Sequence, residues 1–271
     1  MKFRNSTQIG NCISLHNSEF LDKQRFAGKI VAKSHLMIID IINNYKQQSL
    51  IKINDIVEQF IFDSKCIPTF KNYKNRHSKK DFPSGVCISV NDIVVHGIPN
   101  DYILENGDVV SFDLGATFEG AIADSAITLI VGEVKSPQHP LLLSECEKAL
   151  YAGINAIKVG NRLGCIGAAI DSVSKKSGFK SITTYGGHGL DYNKAHADPF
   201  VSNIGSINEG IRIQPNMTIA IEPQFVDGPN NQTYITSDEW SVKASGISCH
   251  FEHTIYIHND KVEIITDRNS V

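Results

Sequence analysis

The chain is predicted to adopt an α+β fold. Helical periodicity opens it, short β runs begin at Val86, and a second helical stretch followed by more β runs begins near Pro140. The order helices, strands, helices, strands suggests a two-fold repeat of a helix-then-sheet unit. No Pro/Gly/Ser-rich linker interrupts the 271 residues, so a single domain is expected over 1–271, with 1–17 as an N-terminal extension and 71–85 as a basic loop.

Ser18 is placed to cap a first helix, with Glu19 and Asp22 in its opening turn. Phe20, Phe26, Ile30, Leu36, Ile39 and Ile42 mark its apolar side. A second, short helix is expected after Asn54. Lysines and asparagines crowd the next stretch, which reads as a solvated loop; the other reading is a place at a substrate rim or against an acidic partner.

Cys87–Val90 and Ile93–His96, joined by Asn91-Asp92, look like a hairpin. Residues 108–115 and 121–132 continue the sheet. Pro140 suits the first position of a helix whose stripe is Leu142, Cys146, Ala149, Leu150, Ile154 and Ile157, with Gly160 just past its end. A shorter helix spans about 164–177 and stops at Gly178, and strands follow around 217–226, 233–243, 249–257 and 262–266.

A composition of 41% hydrophobic and 20% charged residues is that of an ordinary soluble enzyme, and a net charge of -3 argues against nucleic acid or an anionic membrane as a general partner. The six cysteines are dispersed, without a CxxC pair, which suits a reducing compartment. Met1–Gly10 lacks an apolar core, so no signal peptide is expected, and the apolar runs are too short to span a bilayer. A cytoplasmic location follows.

Four carboxylates, Asp113, Asp124, Glu222 and Glu252, sit inside apolar β runs with no Arg or Lys close by in sequence. Burying them is costly unless something cationic compensates. His188 lies between glycines in Gly186-Gly187-His188-Gly189, which allow tight turning and close backbone approach. Four carboxylates and one imidazole can hold two divalent cations side by side, with Mn, Fe, Co or Zn suited to such an oxygen-rich set. His96 and His196 are either bland loop histidines or imidazoles beside a substrate amide.

These residues resemble a type I methionine aminopeptidase of the bacterial short form, in the pita-bread metallopeptidase family. The resemblance covers about residues 82–266 and is densest in Phe82–Asn91, His96-Gly97-Ile98-Pro99, Asn106–Val110, Gly186–Gly189, Met217–Pro223 and Phe251–Thr254. It implies that Asp113 chelates one metal, that Asp124 and Glu252 bridge two, and that His188 and Glu222 complete the shell of the second metal. A metal-bridging hydroxide would attack the scissile carbonyl, with Glu222 as proton carrier. His96 would contact the amide nitrogen and His196 would support the oxyanion. Phe82, Cys87 and Trp240 would line the methionine pocket. The implied substrates are nascent polypeptide N-termini with a small second residue, met by a monomer that makes at most a transient ribosome contact and no contact with DNA or membrane.

The chain departs from the family pattern in places. An ungapped alignment puts Arg76 and Lys79 at the pocket, whereas a gapped one slides Tyr73 in. Ala195 stands where the family has an aromatic residue, one extra residue precedes His196, and Phe82 replaces a tyrosine. Same-fold alternatives are an aminopeptidase with altered first-residue specificity, a proline-directed peptidase, and a non-catalytic binding protein.

Overall fold

The computed structural model describes residues 13–44, 48–75 and 78–271. Helix α1 (Ser18–Asn44) is capped by Asn17, whose Oδ1 accepts from Phe20 N at 2.9 Å, so the cap falls one residue before Ser18. Phe20, Ile30 and Ile42 are buried as expected, but Phe26 and Leu36 are each 39% exposed. A helix of this length drifts round its axis, and its true inner stripe runs through Leu21, Ala27, Val31, Ile38 and Ile41. Helix α2 (Leu50–Asp63) starts before Asn54, capped by Ser49. Strand β1 (Ile67–Pro68) then leads into the basic loop.

Strands β2 (Val86–Val90) and β3 (Ile93–Val95) turn at Asn91 but do not form the expected hairpin. β2 pairs with β4 (Val109–Phe118), whereas β3 joins another sheet. One bond from Ile88 N to Gly97 O, 2.9 Å, spans the gap. β4 continues to Phe118, past the expected end, and pairs in unbroken register with β5 (Ala121–Ile130) through a turn at Glu119-Gly120. Both turn residues have positive φ, 46° and 85°, and glycine takes the second without strain.

Helix α3 (Gln138–Asn155) begins at Gln138, so Pro140 lies inside its first turn, where a missing N–H is harmless. Helix α4 (Gly164–Ser177) ends as expected at Gly178, whose φ of 84° is the left-handed cap conformation. After β6 (Lys180–Ser181) comes a pair that the sequence did not suggest, β7 (Gly187–Asp191) and β8 (Lys194–Val201). The expected strand at 217–226 is split at Pro223 into β9 (Thr218–Ile221) and β10 (Gln224–Val226). The stretch 233–243 is mostly loop, with β11 (Tyr234–Ile235) and β12 (Val242–Lys243) at its ends. The run 249–257 breaks at Phe251-Glu252 into β13 (Ser248–His250) and β14 (His253–Ile257), and β15 (Val262–Ile264) follows.

Helices α1 and α2 cover the sheet of β1, β2, β4 and β5, and one core forms between them. Helices α3 and α4 form a second core with the five-stranded sheet β15-β14-β9-β7-β8. The repeat of a helix-then-sheet unit is therefore real. Gln24 fastens the halves: its Nε2 donates to Ile122 O at 2.8 Å and its Oε1 accepts from Thr218 Oγ1 at 3.0 Å. Among the described residues, no helix is long and apolar enough to cross a membrane.

Candidate metal centre

The register of β4 and β5 sets the first two carboxylates. Asp113 faces Ala126, and Asp124 faces Gly115. In an antiparallel pair this makes them diagonal neighbours on one face, while Val110, Phe112, Leu114 and Ala116 enter the core on the other. Glu252 sits in the break between β13 and β14, its N donating to Ala126 O at 3.0 Å. Thr254 Oγ1 accepts from Asp124 N at 3.0 Å and lies 3.2 Å from Asp124 Oδ1, locking the two segments together.

Glu222 stands in the break at Pro223. Asn203 Nδ2 holds its carbonyl at 3.1 Å, and Gln224 Nε2 donates to its Oε2 at 2.6 Å. His188 lies on strand β7, between β9 and β8. Its glycine neighbours serve close approach and not turning: a Cβ on Gly187 would meet Ala220 O at 2.1 Å, and one on Gly189 would meet Asp198 O at 2.1 Å, with neither φ in the left-handed region. His188 Nδ1 lies 3.0 Å from Gly189 O. A carbonyl only accepts, so Nδ1 carries the proton and Nε2 keeps its lone pair.

That lone pair points at a gap among oxygens. His188 Nε2 is 3.7 Å from Asp124 Oδ2, 3.7 Å from Glu222 Oε1 and 3.9 Å from Glu252 Oε1. These separations are too long for hydrogen bonds and suit ligands of a shared ion. Asp124, His188 and Glu252 offer ligand atoms that all lie within 4.8 Å of one another, and all three are buried. Asp113 Oδ1 is buried with no hydrogen-bond partner. No Lys or Arg pairs with any of these carboxylates among the described residues. The donor set therefore fits divalent metal.

Electrostatics agree. Burial pushes Asp113 up to about 8, moderated by His250 and reinforced by Asp124 and Glu222. Burial raises Asp124, and it raises Glu252 well above the usual range with help from Asp124, Glu222 and Asp113. Glu222 is also penalised by burial, yet contact with His250, with His188 and His96 beyond it, holds it net below the ordinary value. Acids that resist ionisation together are a set that a bound divalent cation would stabilise.

Around this centre, His196 lies beside His188 with ring centroids 4.5 Å apart. His96 is edge-on to Tyr185 at 5.5 Å and to Trp240 at 6.4 Å, in the left-handed region at φ 58°. Burial lowers His96 to about 4 and His196 well below its usual value, so both are neutral at pH 7. Phe82, Cys87 and Trp240 come together with Phe70 in one apolar wall. Cys87 sits directly opposite Asp113, so the wall borders the carboxylates. Burial, and then the charges of Asp113 and Glu252, keep the Cys87 thiol protonated.

Lys79 does not line this wall. It is exposed, and its backbone N donates to Glu239 Oε2 at 2.8 Å. Arg76 lies outside the described residues. The place is taken by Tyr73, which packs against the wall and whose carbonyl accepts from Phe82 N at 2.9 Å. Ala195 is buried with Ile122, Leu190 and Ala220, and Tyr73 packs on this group as well.

Two neighbours escaped the sequence reading. His250 is buried with its Nε2 3.3 Å from Glu222 Oε2 and 4.0 Å from Glu252 Oε2. Gln224 grips the same Glu222 oxygen. The available signal was spacing: each stands two residues from a ligand, on the same side of an extended chain.

A fold of two helix-and-sheet halves around a buried, cation-seeking carboxylate cluster defines a metallopeptidase class. The family model for metallopeptidase family M24 matches residues 22–259, and the chain belongs to that family. Its relatives include the methionine aminopeptidase of Mycoplasma capricolum subsp. capricolum, 37% identical over 256 residues, with 94% of this chain and 98% of the relative covered. Methionine aminopeptidase 1 of Bacillus subtilis is 36% identical over 244 residues, covering 89% and 94% of the two chains. The crystal structure of the Rickettsia prowazekii methionine aminopeptidase superposes with a TM-score of 0.87 at 32% identity, covering 94% of this chain and 100% of that one. A prolidase from Pyrococcus furiosus shares the fold alone, with a TM-score of 0.70 at 18% identity, 93% of this chain and 65% of that one. The fold is the pita-bread fold.

Proposed function

We propose that this protein is a dimetal-dependent methionine aminopeptidase that removes N-terminal methionine from nascent proteins and peptides with a small second residue. One observation carries this: the ligand atoms of Asp124, His188 and Glu252 converge in a buried site, with Glu222 3.7 Å from His188 and Asp113 unpartnered, no Lys or Arg pairing with them among the described residues, beside an apolar aromatic wall. Asp113, Asp124, His188, Glu222 and Glu252 would hold two divalent ions, Co, Mn, Fe or Zn. When bound, such ions supply Lewis acidity and a water of lowered pKa.

The side chains divide the remaining work. Glu222 keeps an ionised carboxylate, so it can take a proton and pass it to the leaving amine. His96, neutral and fixed against Tyr185 and Trp240, faces the amide nitrogen after the cleaved residue. His196, also neutral, supports the carbonyl oxygen as charge develops. Phe82, Cys87 and Trp240, with Phe70 and Tyr73, exclude water and receive an apolar first side chain. The enzyme acts as a cytoplasmic monomer on nascent N-termini, with the basic loop available for a transient ribosome contact.

The test is free methionine released from Met-Ala-Ser by metal-free protein given back Mn(II), Co(II), Fe(II) or Zn(II), beside an Asp113→Asn control. Metal-dependent release that the control abolishes is expected. Metal binding without release would point to another first residue or to Xaa-Pro peptides, and no metal binding would leave a binding protein on this scaffold.

A further inference from the structure

One side chain belongs both to the apolar wall and to the imidazoles. Tyr73 packs at the edge of the Phe70, Phe82, Cys87 and Trp240 cluster, and also against the cluster of Ile122, Leu190, Ala195 and Ala220. Its hydroxyl lies 2.7 Å from His196 Nδ1, with the two rings nearly perpendicular and their centroids 5.0 Å apart. The tyrosine is held in place. Its N donates to Phe70 O at 3.0 Å, and its carbonyl accepts from Phe82 N at 2.9 Å. Ala195 contributes only a methyl group to the second cluster, and a ring at that position would compete with Tyr73 for the same volume.

Resting on the aminopeptidase function proposed above, we infer that Tyr73 is the positioning residue for His196. Its hydroxyl donates to Nδ1, which places the single ring proton of His196 on Nε2, facing the substrate carbonyl. The direction follows from acidity. Phenol is the better proton donor and imidazole the better acceptor, so O–H···N is the favoured pairing. A neutral imidazole has one N–H, and an acceptor Nδ1 leaves that proton on Nε2. An oxyanion needs such a donor, and here it comes without charging the ring.

The neighbouring His188 is set the other way. Its Nδ1 donates to Gly189 O, leaving Nε2 as the lone pair. Two imidazoles with centroids 4.5 Å apart are thus held in opposite tautomers, one as an electron-pair donor and the other as a hydrogen-bond donor. Because Tyr73 also walls the pocket, a first residue that fills the pocket presses its ring into place. A first residue that leaves space lets the hydroxyl drift from His196. Selectivity for the first residue then registers in kcat as well as in KM.

The decisive experiment is nitrogen-15 NMR of the histidine rings in metal-free protein, paired with steady-state kinetics on Met-Ala-Ser. In the parent protein, the ring signals that vanish in His196→Asn should report the Nε2–H tautomer. In Tyr73→Phe they should become a tautomer mixture. kcat should fall between about tenfold and about a hundredfold, at or below the ~10²–10³ cost of deleting an oxyanion donor outright, with KM within about twofold. Ala195→Phe, by displacing the ring, should reproduce the tautomer mixture and the fall in kcat, and the double variant should add little to either. An unchanged tautomer in Tyr73→Phe, or a rise in KM at constant kcat, would overturn the inference and leave Tyr73 a packing residue. If the parent protein releases no methionine, the aminopeptidase function falls, and the tautomer still decides the role of Tyr73.

Discussion

His250 and Gln224 approach the same oxygen of Glu222, His250 Nε2 at 3.3 Å and Gln224 Nε2 at 2.6 Å. Glu222 Oε2 is thereby held from one side, and Oε1 is left facing His188 at 3.7 Å. Groups that orient a ligand are worth about 10–100-fold in metal affinity. His250→Ala should weaken divalent metal binding by about that factor, measured by calorimetric titration of metal-free protein. An unchanged affinity would show that Gln224 suffices.

Asp113 illustrates the electrostatic cost of gathering acids at one centre. Its buried Oδ1 has no partner, and its neighbours Asp124 and Glu222 are also acidic. Asp113→Asn removes a carboxyl that must take up a proton on folding below pH 8. Metal-free Asp113→Asn should melt higher than the metal-free parent, by roughly 2–4 °C per kcal/mol gained. Adding Mn(II) should raise the parent's Tm and leave the variant's almost unmoved. A variant that melts lower without metal would show that the aspartate makes a stabilising contact.

An acid raised on folding, as Asp113 is to about 8, binds more protons folded than unfolded, so stability falls as pH rises toward that value. His96, lowered to about 4, acts in the opposite sense, but only below the ordinary imidazole range near 6.5. Between pH 6.5 and pH 8 the raised acids act almost alone. Metal-free protein should therefore lose stability across that interval, and a drop of about 2 kcal/mol would lower Tm by roughly 4–8 °C. Saturating metal should flatten the curve. A metal-free Tm that climbs over the same interval would contradict the raised acids.

Trp240 joins the wall to the basic loop. It stands edge-on to Phe82 at 5.2 Å, and its Nε1 donates to Lys80 O at 3.0 Å. Trp240→Ala removes both contacts, and KM for Met-Ala-Ser should rise about tenfold or more, since each tenfold is about 1.4 kcal/mol. Trp240→Phe keeps apolar area but loses the bond, and should lie between. Equal KM values for all three would place the first side chain elsewhere.

Much of the site could be read in the sequence because each ligand is a local contradiction. A carboxylate in an apolar β run has few bland explanations, and Asp113, Asp124, Glu222 and Glu252 all stand in such runs. Helix α4 was equally plain, since its glycine stop is a local backbone requirement. What escaped depends on distant partners. Strands β7 and β8 are rich in glycine and polar residues, and they are strands because β9 lies against β7. The turn at Asn91 promised a hairpin, but β3 was claimed by β12. Phe26 finds its contact on Phe118, with ring centroids 4.3 Å apart, and so need not face inward. The place of Tyr73 depends on its meeting Phe82 and His196 across the fold, which spacing along a chain does not determine.

The core of the first half is completed by Tyr256 and Ile265, and a Cβ on Gly28 would meet Ile265 O at 2.3 Å. Helix α1 is therefore closed over by a segment far along the chain, and Glu252 belongs to that same segment. The lid of the first core and one of the carboxylates thus arrive together. A cut just before Glu252 would open a hydrophobic seam and strip the site of a donor in one stroke.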